Sequence, residues 1–241
     1  MRAMEEIKFG NKKIAFERLP SETKRIITLR VGPPKKLSIL APTDLNEGEL
    51  TKIVKKKAPW IIDKFQRLDE IRARENDKEF ISGESFLFKG KLLRLKVLKE
   101  NLGDKCPVFT DTTTLFCRTI KHNARGHLKK SIEEWYKQKA KDYLTNRTSL
   151  LSKRFSKKPT NIRIRNQTLR WGSCTKTGEV LINWRIMMAP PSIMDYVIIH
   201  ELTHLQEKNH TKQFWQTVKN AMPNYEEKKE WLKINGAKLS I

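Results

Sequence analysis

The sequence is poor in cysteine and in long apolar runs. Its three cysteines, Cys106, Cys117 and Cys174, form no CxxC pair, which argues against a disulfide framework and against a cysteine-based zinc site. No uninterrupted apolar run approaches the ~20 residues that a membrane-spanning helix needs, so no membrane association is expected. The first residues lack the apolar core of a secretory signal, and a cytoplasmic location is therefore expected.

Basic residues outnumber acidic ones almost two to one. The 241 residues include 50 Lys and Arg against 27 Asp and Glu, a formal net charge of +23. The excess is uneven, because residues 1–160 carry 38 basic and 20 acidic side chains, whereas residues 161–241 carry 12 and 7. A positive field attracts polyanions, so non-specific DNA or a nucleic-acid-bound protein is a possible partner, recruited through lysine clusters at 55–57, 129–130 and 153–158. A merely Lys-rich surface is the competing explanation.

Apolar residues make up 38% of the chain and recur at regular spacing, so a folded core is expected. Residues 1–120 are predicted to form a β-rich N-terminal region with two helices, and no internal repeat is evident. Apolar or alternating runs predict strands at 7–9, 13–18, 26–31, 37–41, 80–81, 85–88, 92–98, 106–109 and 113–119. Helical spacing predicts helices at 47–57 and 59–75, the second with Pro59 in its first turn.

Residues 121–241 are predicted to form a second domain, which gives the chain an α+β fold. A long helix is expected at about 124–155, because apolar residues recur there on one helical face. Strands are expected at 161–165 and 179–184. Three helices should follow, at 193–206 with Ser192 as the N-cap, at 211–221 and at 225–234.

The first of these three helices contains the motif His200-Glu201-Leu202-Thr203-His204. Four residues advance an α-helix by about 400°, so His200 and His204 lie on one face, one turn apart. Their imidazoles can converge on one tetrahedral Zn²⁺. Glu201 projects beside them, where it can accept a proton from the attacking water. The motif therefore predicts a catalytic zinc site.

An incidental pair of histidines on a solvated helix is the alternative explanation of this motif. The run Tyr196–Ile199 just before it is apolar, which predicts a buried helix. Two unpaired imidazoles and a carboxylate would be costly in such a place without a metal. Three of the five histidines of the chain also lie within residues 200–210, which favours the metal site.

His210 is the predicted third ligand. It lies six residues beyond His204, the separation found in the metzincin pattern HExxHxxGxxH. That pattern has glycine where this chain has Glu207, which is expected on the surface or in support of a ligand. Asn209 could end the helix instead, since asparagine tolerates the left-handed conformation. The alternative third ligand is a carboxylate of the last helix: Glu226, Glu227 or Glu230.

Several short blocks in the last third of the chain form a characteristic set. They are Arg170–Cys174, Asn183–Arg185, Ala189–Pro191, Asp195–Val197, His200–Leu205, Asn209-His210 and Phe214-Trp215. Together they resemble the YgjP-like metallopeptidase family, which is similar to the SprT-like and WLM metalloproteases. The resemblance is dense over about residues 160–235 and looser elsewhere.

This resemblance implies a zincin-like catalytic domain, in which a small antiparallel sheet accompanies the HExxH helix. The β-rich N-terminal region and the long helix would precede it. The resemblance also implies that His200, His204 and His210 hold Zn²⁺ and that Glu201 is the general base. The substrate would be a peptide or a protein.

Other residues of these blocks have both structural and functional interpretations. Arg170 and Arg185 could stabilise an oxyanion or hold a substrate, or they could form structural ion pairs. The Gly172 segment and the strand after it could form an edge that binds an extended peptide. Cys174 is expected to be a small buried hydrophobe rather than a thiolate that blocks the zinc. Core or pocket walls are the expected positions of Trp171, Trp184 and Trp215.

The sequence therefore predicts a zinc-dependent metallopeptidase with Glu201 as its general base. Two other functions are considered: a zinc hydrolase of a non-peptide amide, and a nucleic-acid-associated protein with a structural zinc site. A structural zinc site normally fills its fourth position and has no use for a base, so Glu201 favours the hydrolases.

Overall fold

The computed structural model describes residues 4–22, 26–32, 35–76, 78–99, 108–119 and 125–241. The chain divides into two compact units, Met1–Ala73 and Arg74–Ile241. Each unit contains β-strands and α-helix, and five α-helices occur in the described residues, so the predicted mixed α+β class is confirmed. None of the helices in these ranges is both long enough and apolar enough to cross a membrane.

The first unit is a four-stranded sheet followed by one long helix. Its strands are β1 (Met4–Phe9), β2 (Lys12–Ser21), β3 (Thr28–Gly32) and β4 (Lys36–Pro42), and the helix is α1 (Glu47–Asn76). The spatial order is β1-β2-β4-β3, with a parallel central pair between two antiparallel pairs. Alternate strand residues and one face of α1 form a single apolar core, which includes Ile14, Phe16, Leu37, Ile39, Leu50, Val54, Ala58 and Ile61.

Helix α1 is continuous, so the prediction of two separate helices at 47–57 and 59–75 is wrong. Pro59 lies inside the helix, where a proline removes one backbone hydrogen bond and costs about 3 kcal/mol. The proline itself is exposed, while the residues on either side keep an unbroken buried stripe from Leu50 to Ile61. Each buried aliphatic side chain contributes about 1.5–3 kcal/mol, so burial of the stripe offsets the cost of the proline.

The second unit begins with the same topology. Strands β5 (Ser85–Phe88), β6 (Lys91–Lys99), β7 (Val108–Thr110) and β8 (Thr114–Thr119) are followed by helix α2 (Arg125–Ser152). Their order, β5-β6-β8-β7, again has a parallel central pair between two antiparallel pairs. A module of four strands and a helix therefore occurs twice, and the expectation of no internal repeat is wrong at the level of topology. The two modules differ in their side chains, so the repeat is not visible in the sequence. The topology needs only alternating apolar residues and tight turns, which many different sequences provide.

A three-stranded sheet and three more helices complete the second unit. Strands β9 (Asn161–Arg165), β10 (Gly172–Cys174) and β11 (Glu179–Asn183) lie in the order β10-β11-β9. A short 3-10 helix, Trp184–Met188, then leads to α3 (Pro191–Thr203), α4 (Lys212–Ala221) and α5 (Tyr225–Asn235).

The three-stranded sheet is mixed, so the purely antiparallel sheet that the resemblance implied is wrong. Strand β10 is antiparallel to β11, but β9 is parallel to it. The loop after Arg165 carries the chain past β11 before β10 begins. The tight turn at Gly178, whose φ is +86°, then reverses the chain and leaves β11 running in the direction of β9.

The strand predicted at Phe80 and Ile81 is wrong, because these residues form a loop. The Glu84 carboxylate accepts the backbone N–H groups of Glu79 and Phe80, at 2.9 and 2.8 Å, which replaces the hydrogen bonds of a sheet. The Phe80 ring is buried in the core of the second unit. A buried apolar residue in a loop therefore looks the same in the sequence as an apolar residue in a strand.

Helix α3 begins two positions earlier than predicted. Pro190 is its N-cap and Pro191 its first residue, so Ser192 is not the cap. Proline fits the first helical turn because its φ is already helical and its missing N–H would have no partner there. Cys106 and Ala124, at the starts of a predicted strand and of the predicted long helix, lie outside the described residues.

The domain boundary predicted near residue 120 falls within the second unit. Strands β5 to β8 share one core with α2, and this core includes Leu93, Leu95, Leu115, Leu128, Ile132 and Tyr136. The sequence pattern groups all strands that precede the long helix predicted at about 124–155. The structure instead groups each four-stranded sheet with the helix that follows it, because that helix covers the apolar face of the sheet.

Helix α3 is held on α2 by a bidentate ion pair. Arg147 of α2 donates through Nε and Nη2 to the two carboxylate oxygens of Asp195 on α3, at 2.7 and 2.6 Å. The Asp195 side chain is 15% exposed, and its hydrogen bond raises the pKa of the Arg147 guanidinium. A two-bond pair of this kind fixes the relative positions of the two helices.

The turn between β5 and β6 also supports the start of α3. Lys89 and Gly90 both have positive φ, as a two-residue hairpin turn requires. The Gly90 N–H donates to the carbonyl of Met188 at 3.1 Å. A Cβ atom at Gly90 would lie 2.9–3.2 Å from atoms of Pro190, so glycine is needed here for space as well as for its conformation.

Asp195→Asn is expected to lower the free energy of unfolding by about 2 kcal/mol, because it weakens charge-assisted hydrogen bonds to a partly buried guanidinium. Glu230→Gln is the control, because it breaks the ion pair between Glu230 and Lys233, whose side chains are 57% and 75% exposed, respectively. This substitution should lower the free energy of unfolding by less than about 1 kcal/mol. Urea denaturation at neutral pH measures both values. Equal losses of unfolding free energy in the two variants would show that the Arg147–Asp195 pair stabilises the fold no more than an exposed ion pair does.

Candidate metal centre

Helix α3 carries the motif His200–His204 through the core of the second unit. Nine of its thirteen residues are buried, Glu201 among them, with 5% of its surface exposed. The helix ends at Thr203, and the backbone N–H of His204 still contacts the carbonyl of His200 at 3.4 Å. One helical turn therefore separates the two imidazoles, whose ring centroids are 5.0 Å apart.

His210 reaches the same place after the chain turns beyond α3. The backbone N–H of Glu207 donates to the carbonyl of Thr203 at 3.0 Å, which closes the turn. Asn209 does not have positive φ, so the predicted left-handed conformation at this residue is wrong. Backbone hydrogen bonds at the helix end reverse the chain instead. Thr211 then caps the start of α4, so His210 lies immediately before that helix.

The three imidazoles form one cluster. Each offers a ring nitrogen within 4.8 Å of the other two, and the Nε2 atoms of His200 and His210 are 3.0 Å apart. The His204 and His210 ring centroids are separated by 4.7 Å. No other group of three such ligand atoms occurs in the part of the chain that the structure describes. Three imidazole nitrogens at this spacing can hold one zinc ion.

One of the three rings has a defined tautomer. The Nδ1 atom of His204 lies 3.0 Å from the backbone carbonyl oxygen of Glu207. Because a carbonyl only accepts, Nδ1 carries the proton and Nε2 keeps its lone pair for a metal. Metal-ligating histidines are usually held in this way through the second nitrogen. Glu207 thus supports the site through its main chain.

Aromatic rings enclose the cluster. The ring centroid of Phe214, on α4, lies 4.6–5.0 Å from the centroids of all three imidazoles. Trp215 stacks on His210 at 5.6 Å. Burial, together with the neighbouring His204 and His210, lowers the pKa of His200 to about 3. His200 is therefore neutral at physiological pH, which is the form that ligates metals.

Glu201 is the buried carboxylate beside the cluster. Burial raises its pKa to about 8, although the positive charge of Arg170 acts in the opposite direction. Gly172 of β10 packs directly against the carboxylate. A Cβ atom at Gly172 would lie 2.6–2.8 Å from the Cγ, Cδ and Oε1 atoms of Glu201, closer than such atoms can approach. Position 172 therefore has room only for glycine.

The loop that carries Arg170 is held by Asn183, at the end of β11. The buried Asn183 amide donates to the backbone carbonyls of Gln167 and Arg170, at 2.5 and 2.9 Å. Its Oδ1 atom accepts the backbone N–H of Arg185 at 3.1 Å. One buried amide thus fixes the loop whose charge acts on Glu201.

The three glutamates considered as alternative ligands lie on α5 and make other contacts. Their partners are Tyr225 for Glu226, Lys228 for Glu227 and Lys233 for Glu230. None of the three belongs to the group of mutually close metal-ligating atoms.

The contacts of Arg185 and Cys174 indicate structural roles for both residues. Arg185 donates to the Asn166 side chain, and its guanidinium lies 4.5 Å from the ring centroid of the buried Trp184. These contacts favour the structural interpretation of Arg185. Cys174 is half-buried on β10, and burial raises the pKa of its thiol. The thiol therefore stays protonated at neutral pH and is a poor metal ligand.

Sequence reasoning did not find the contacts of Gly172, Asn183 and Phe214 around the cluster. Gly172 and Asn183 precede Glu201 in the chain by 29 and 18 residues, and no spacing rule connects such positions. Phe214 did carry a signal, because it follows His210 by four residues near the start of a predicted helix. At that spacing two side chains can meet on one side of a helix.

Three imidazoles next to a buried glutamate, on a helix packed against a small sheet, are typical of metal-dependent hydrolases. The chain belongs to the family described as YgjP-like, metallopeptidase domain, whose model matches residues 25–235. The family expected from the sequence blocks is thereby confirmed. Membership indicates a metallopeptidase and implies a metal cofactor, typically zinc. No curated protein and no solved structure matched the chain in the other two comparisons.

Gly172→Ala is expected to lower the free energy of unfolding by about 1–3 kcal/mol, because the added methyl group overlaps the Glu201 side chain. Urea denaturation measures the loss. In a Glu201→Ala background the same substitution should cost less, since the overlapping atoms are gone.

Gly126→Ala is the matched control for this prediction. Gly126 lies in the first turn of α2 with no atom within 4 Å of the position of a Cβ, so alanine there should be neutral or stabilising. A cost of Gly172→Ala that is unchanged by Glu201→Ala would rule out the proposed overlap.

Proposed function

We propose that this chain is a zinc-dependent peptidase in which His200, His204 and His210 hold the metal and Glu201 is the general base. The observation that carries the proposal is the convergence of three imidazole nitrogens within 4.8 Å of one another, beside a buried carboxylate. The donor set fits zinc, because neutral imidazoles are its preferred nitrogen ligands. Three protein ligands also leave one position free for water and substrate, as in catalytic zinc sites.

Each residue has a defined task in this proposal. Zinc held by the three histidines would lower the pKa of a water molecule to about 7 and polarise the carbonyl of the substrate. Glu201 accepts the proton of the attacking water and can pass it to the leaving amine. The carbonyl of Glu207 keeps His204 in the tautomer that presents Nε2. Arg170 adds positive charge near the carboxylate, which favours its ionised, proton-accepting form.

Strand β10 is the proposed place for the substrate. It is an edge strand of the three-stranded sheet, and Gly172 on it touches Glu201. An extended peptide that adds to this edge would place its backbone next to the base. Such main-chain pairing suits a peptide better than a small non-peptide amide, so it favours a peptidase over the other zinc hydrolases.

The burial of Glu201 favours catalysis over a structural zinc site. Burial raises the pKa of this carboxyl, so an unneeded carboxylate would destabilise the fold at neutral pH. A structural site would also use a fourth protein ligand, and no fourth metal-ligating side chain joins the three histidines in the described ranges.

Glu201→Gln should retain zinc and lose about 10²–10⁴-fold in peptide hydrolysis, because the ligands remain while the base is lost. The measurement is cleavage of a peptide library by purified wild type and variant, with zinc content determined in parallel. Glu207→Gln is the control, since Glu207 acts only through its main chain. Equal cleavage by Glu201→Gln and wild type would exclude Glu201 as the base.

His210→Ala should weaken zinc binding by at least about tenfold, because one of three ligands is lost and each good ligand contributes more than 1.4 kcal/mol. Competition with a zinc chelator measures the affinity. His127→Ala, on α2, removes a histidine outside the cluster and should leave the affinity unchanged. An unchanged affinity in His210→Ala would shift the assignment to a glutamate of α5.

A further inference from the structure

Helix α1 carries an exposed tryptophan, Trp60, that does not pack in the core of the first unit. Trp60 is 42% exposed, although tryptophan has a large apolar surface to bury. It is not among the apolar residues that form or cover the core of the first unit. Its ring makes no ring contact with any described residue. One face of the indole is therefore available to a partner.

Four cationic side chains surround this tryptophan on the helix. Lys56 and Lys57 precede it by four and three residues, and Lys64 and Arg67 follow it by four and seven. At 100° per residue all four lie within about 60° of Trp60 around the helix axis. The buried residues Leu50, Val54, Ala58 and Ile61 lie about 80–160° from Trp60 around the same axis, so Trp60 and the cations lie outside the stripe that faces the core.

Little negative charge offsets the basic face. Lys56 and Lys57 are exposed and form no ion pair with a described residue. Lys64 is different, because it lies 3.9 Å from Asp63, its side chain is only 22% exposed and it makes a further interaction, so it is not counted as a free cation. The face thus combines two unpaired lysines, Lys56 and Lys57, with the exposed ring of Trp60.

The other lysine clusters of the chain lack this combination. In the cluster at 153–158, the Lys158 ammonium donates to the carbonyls of Ser152 and Phe155, where it serves the end of α2. Neither that cluster nor Lys129 and Lys130 contains an aromatic residue with a free exposed ring.

We propose that the Trp60 face of α1 binds single-stranded nucleic acid. Lys56, Lys57 and Arg67 contact phosphates, and the indole of Trp60 stacks on an unpaired base. Phosphate contacts and base stacking on aromatic rings are the two elements of sequence-independent single-strand binding. A duplex hides the faces of its bases, so the exposed ring favours a single strand.

An anionic membrane surface is the less suitable partner for this face. Helices that lie in a membrane interface bury a broad apolar face together with their basic residues. Here the apolar contribution is one tryptophan ring, and the broad apolar face of α1 is already buried in the core. A face with one aromatic ring among cations fits an unpaired base better than an acyl layer.

The test is fluorescence anisotropy of a labelled oligothymidine of about 16 nucleotides with the full-length protein. Trp60→Ala should weaken binding about tenfold, because stacking on one base is lost, and Trp60→Phe should lose less. Lys56→Gln/Lys57→Gln should reduce the slope of log affinity against log salt by about 1.4, since each phosphate contact contributes about 0.7.

Two matched controls isolate the Trp60 face. Lys129→Gln/Lys130→Gln removes the same charge from α2, and Phe9→Ala removes another exposed aromatic ring from the first unit. Neither should change the affinity more than about twofold. Far-UV circular dichroism and the zinc content of each variant should match wild type, because all these residues lie outside the metal cluster.

Several outcomes would overturn the proposal. One is the absence of oligothymidine binding at about 50 mM salt. Another is an equal loss in the α2 charge control, which would mean that net charge alone attracts the strand. Tighter binding to a duplex, or Trp60-dependent binding to anionic vesicles without binding to the oligonucleotide, would assign the face to a different partner. These outcomes are independent of the peptidase proposal, which depends on Glu201 and the histidines.

Discussion

Burial of helix α3 is the physical constraint on which the rest of the candidate site depends. The helix is apolar on most of its surface, and nine of its thirteen residues are buried. The polar groups it carries must therefore function in a region with little water. Burial lowers the pKa of His200 to about 3 and raises that of Glu201 to about 8. Both shifts have the same cause, since desolvation disfavours the charged form of either group. A neutral imidazole is ready to bind a metal, and a carboxyl group of raised pKa is a stronger base once it is ionised.

Contacts from distant parts of the second unit fix this helix. Arg147 of α2 holds it through Asp195, and the Gly90 turn holds the segment before it. Asn183 fixes the loop that places Arg170 near Glu201. These supports come from three elements that are far apart in sequence, so the geometry of the site depends on the whole unit. Rigid support of this kind would keep the groups that we propose for catalysis in place before a substrate arrives.

The two modules of four strands and a helix serve different ends. In the second unit, α2 covers the sheet of β5 to β8 on one side and packs against α3 on another, so its contacts stabilise the fold. In the first unit, α1 covers its sheet with the stripe from Leu50 to Ile61 and presents an exposed basic face around Trp60. A repeated topology thus leaves one helix face available for a partner. The physical reason is that a sheet needs only one face of the helix that covers it.

The sequence alone determined the family, the mixed α+β class and the helix that carries the histidines, because these depend on local periodicity and short motifs. It also located most strands of the three sheets. It did not reveal the continuity of α1 through Pro59, the repeated topology or the mixed sheet, since pairing and burial between distant segments decide them. The same holds at the site. The four-residue spacing predicts that His200 and His204 share a helix face, but only tertiary packing brings Phe214, Gly172 and the Glu207 carbonyl around them. A spacing rule describes one element, whereas close packing of several elements decides which groups touch.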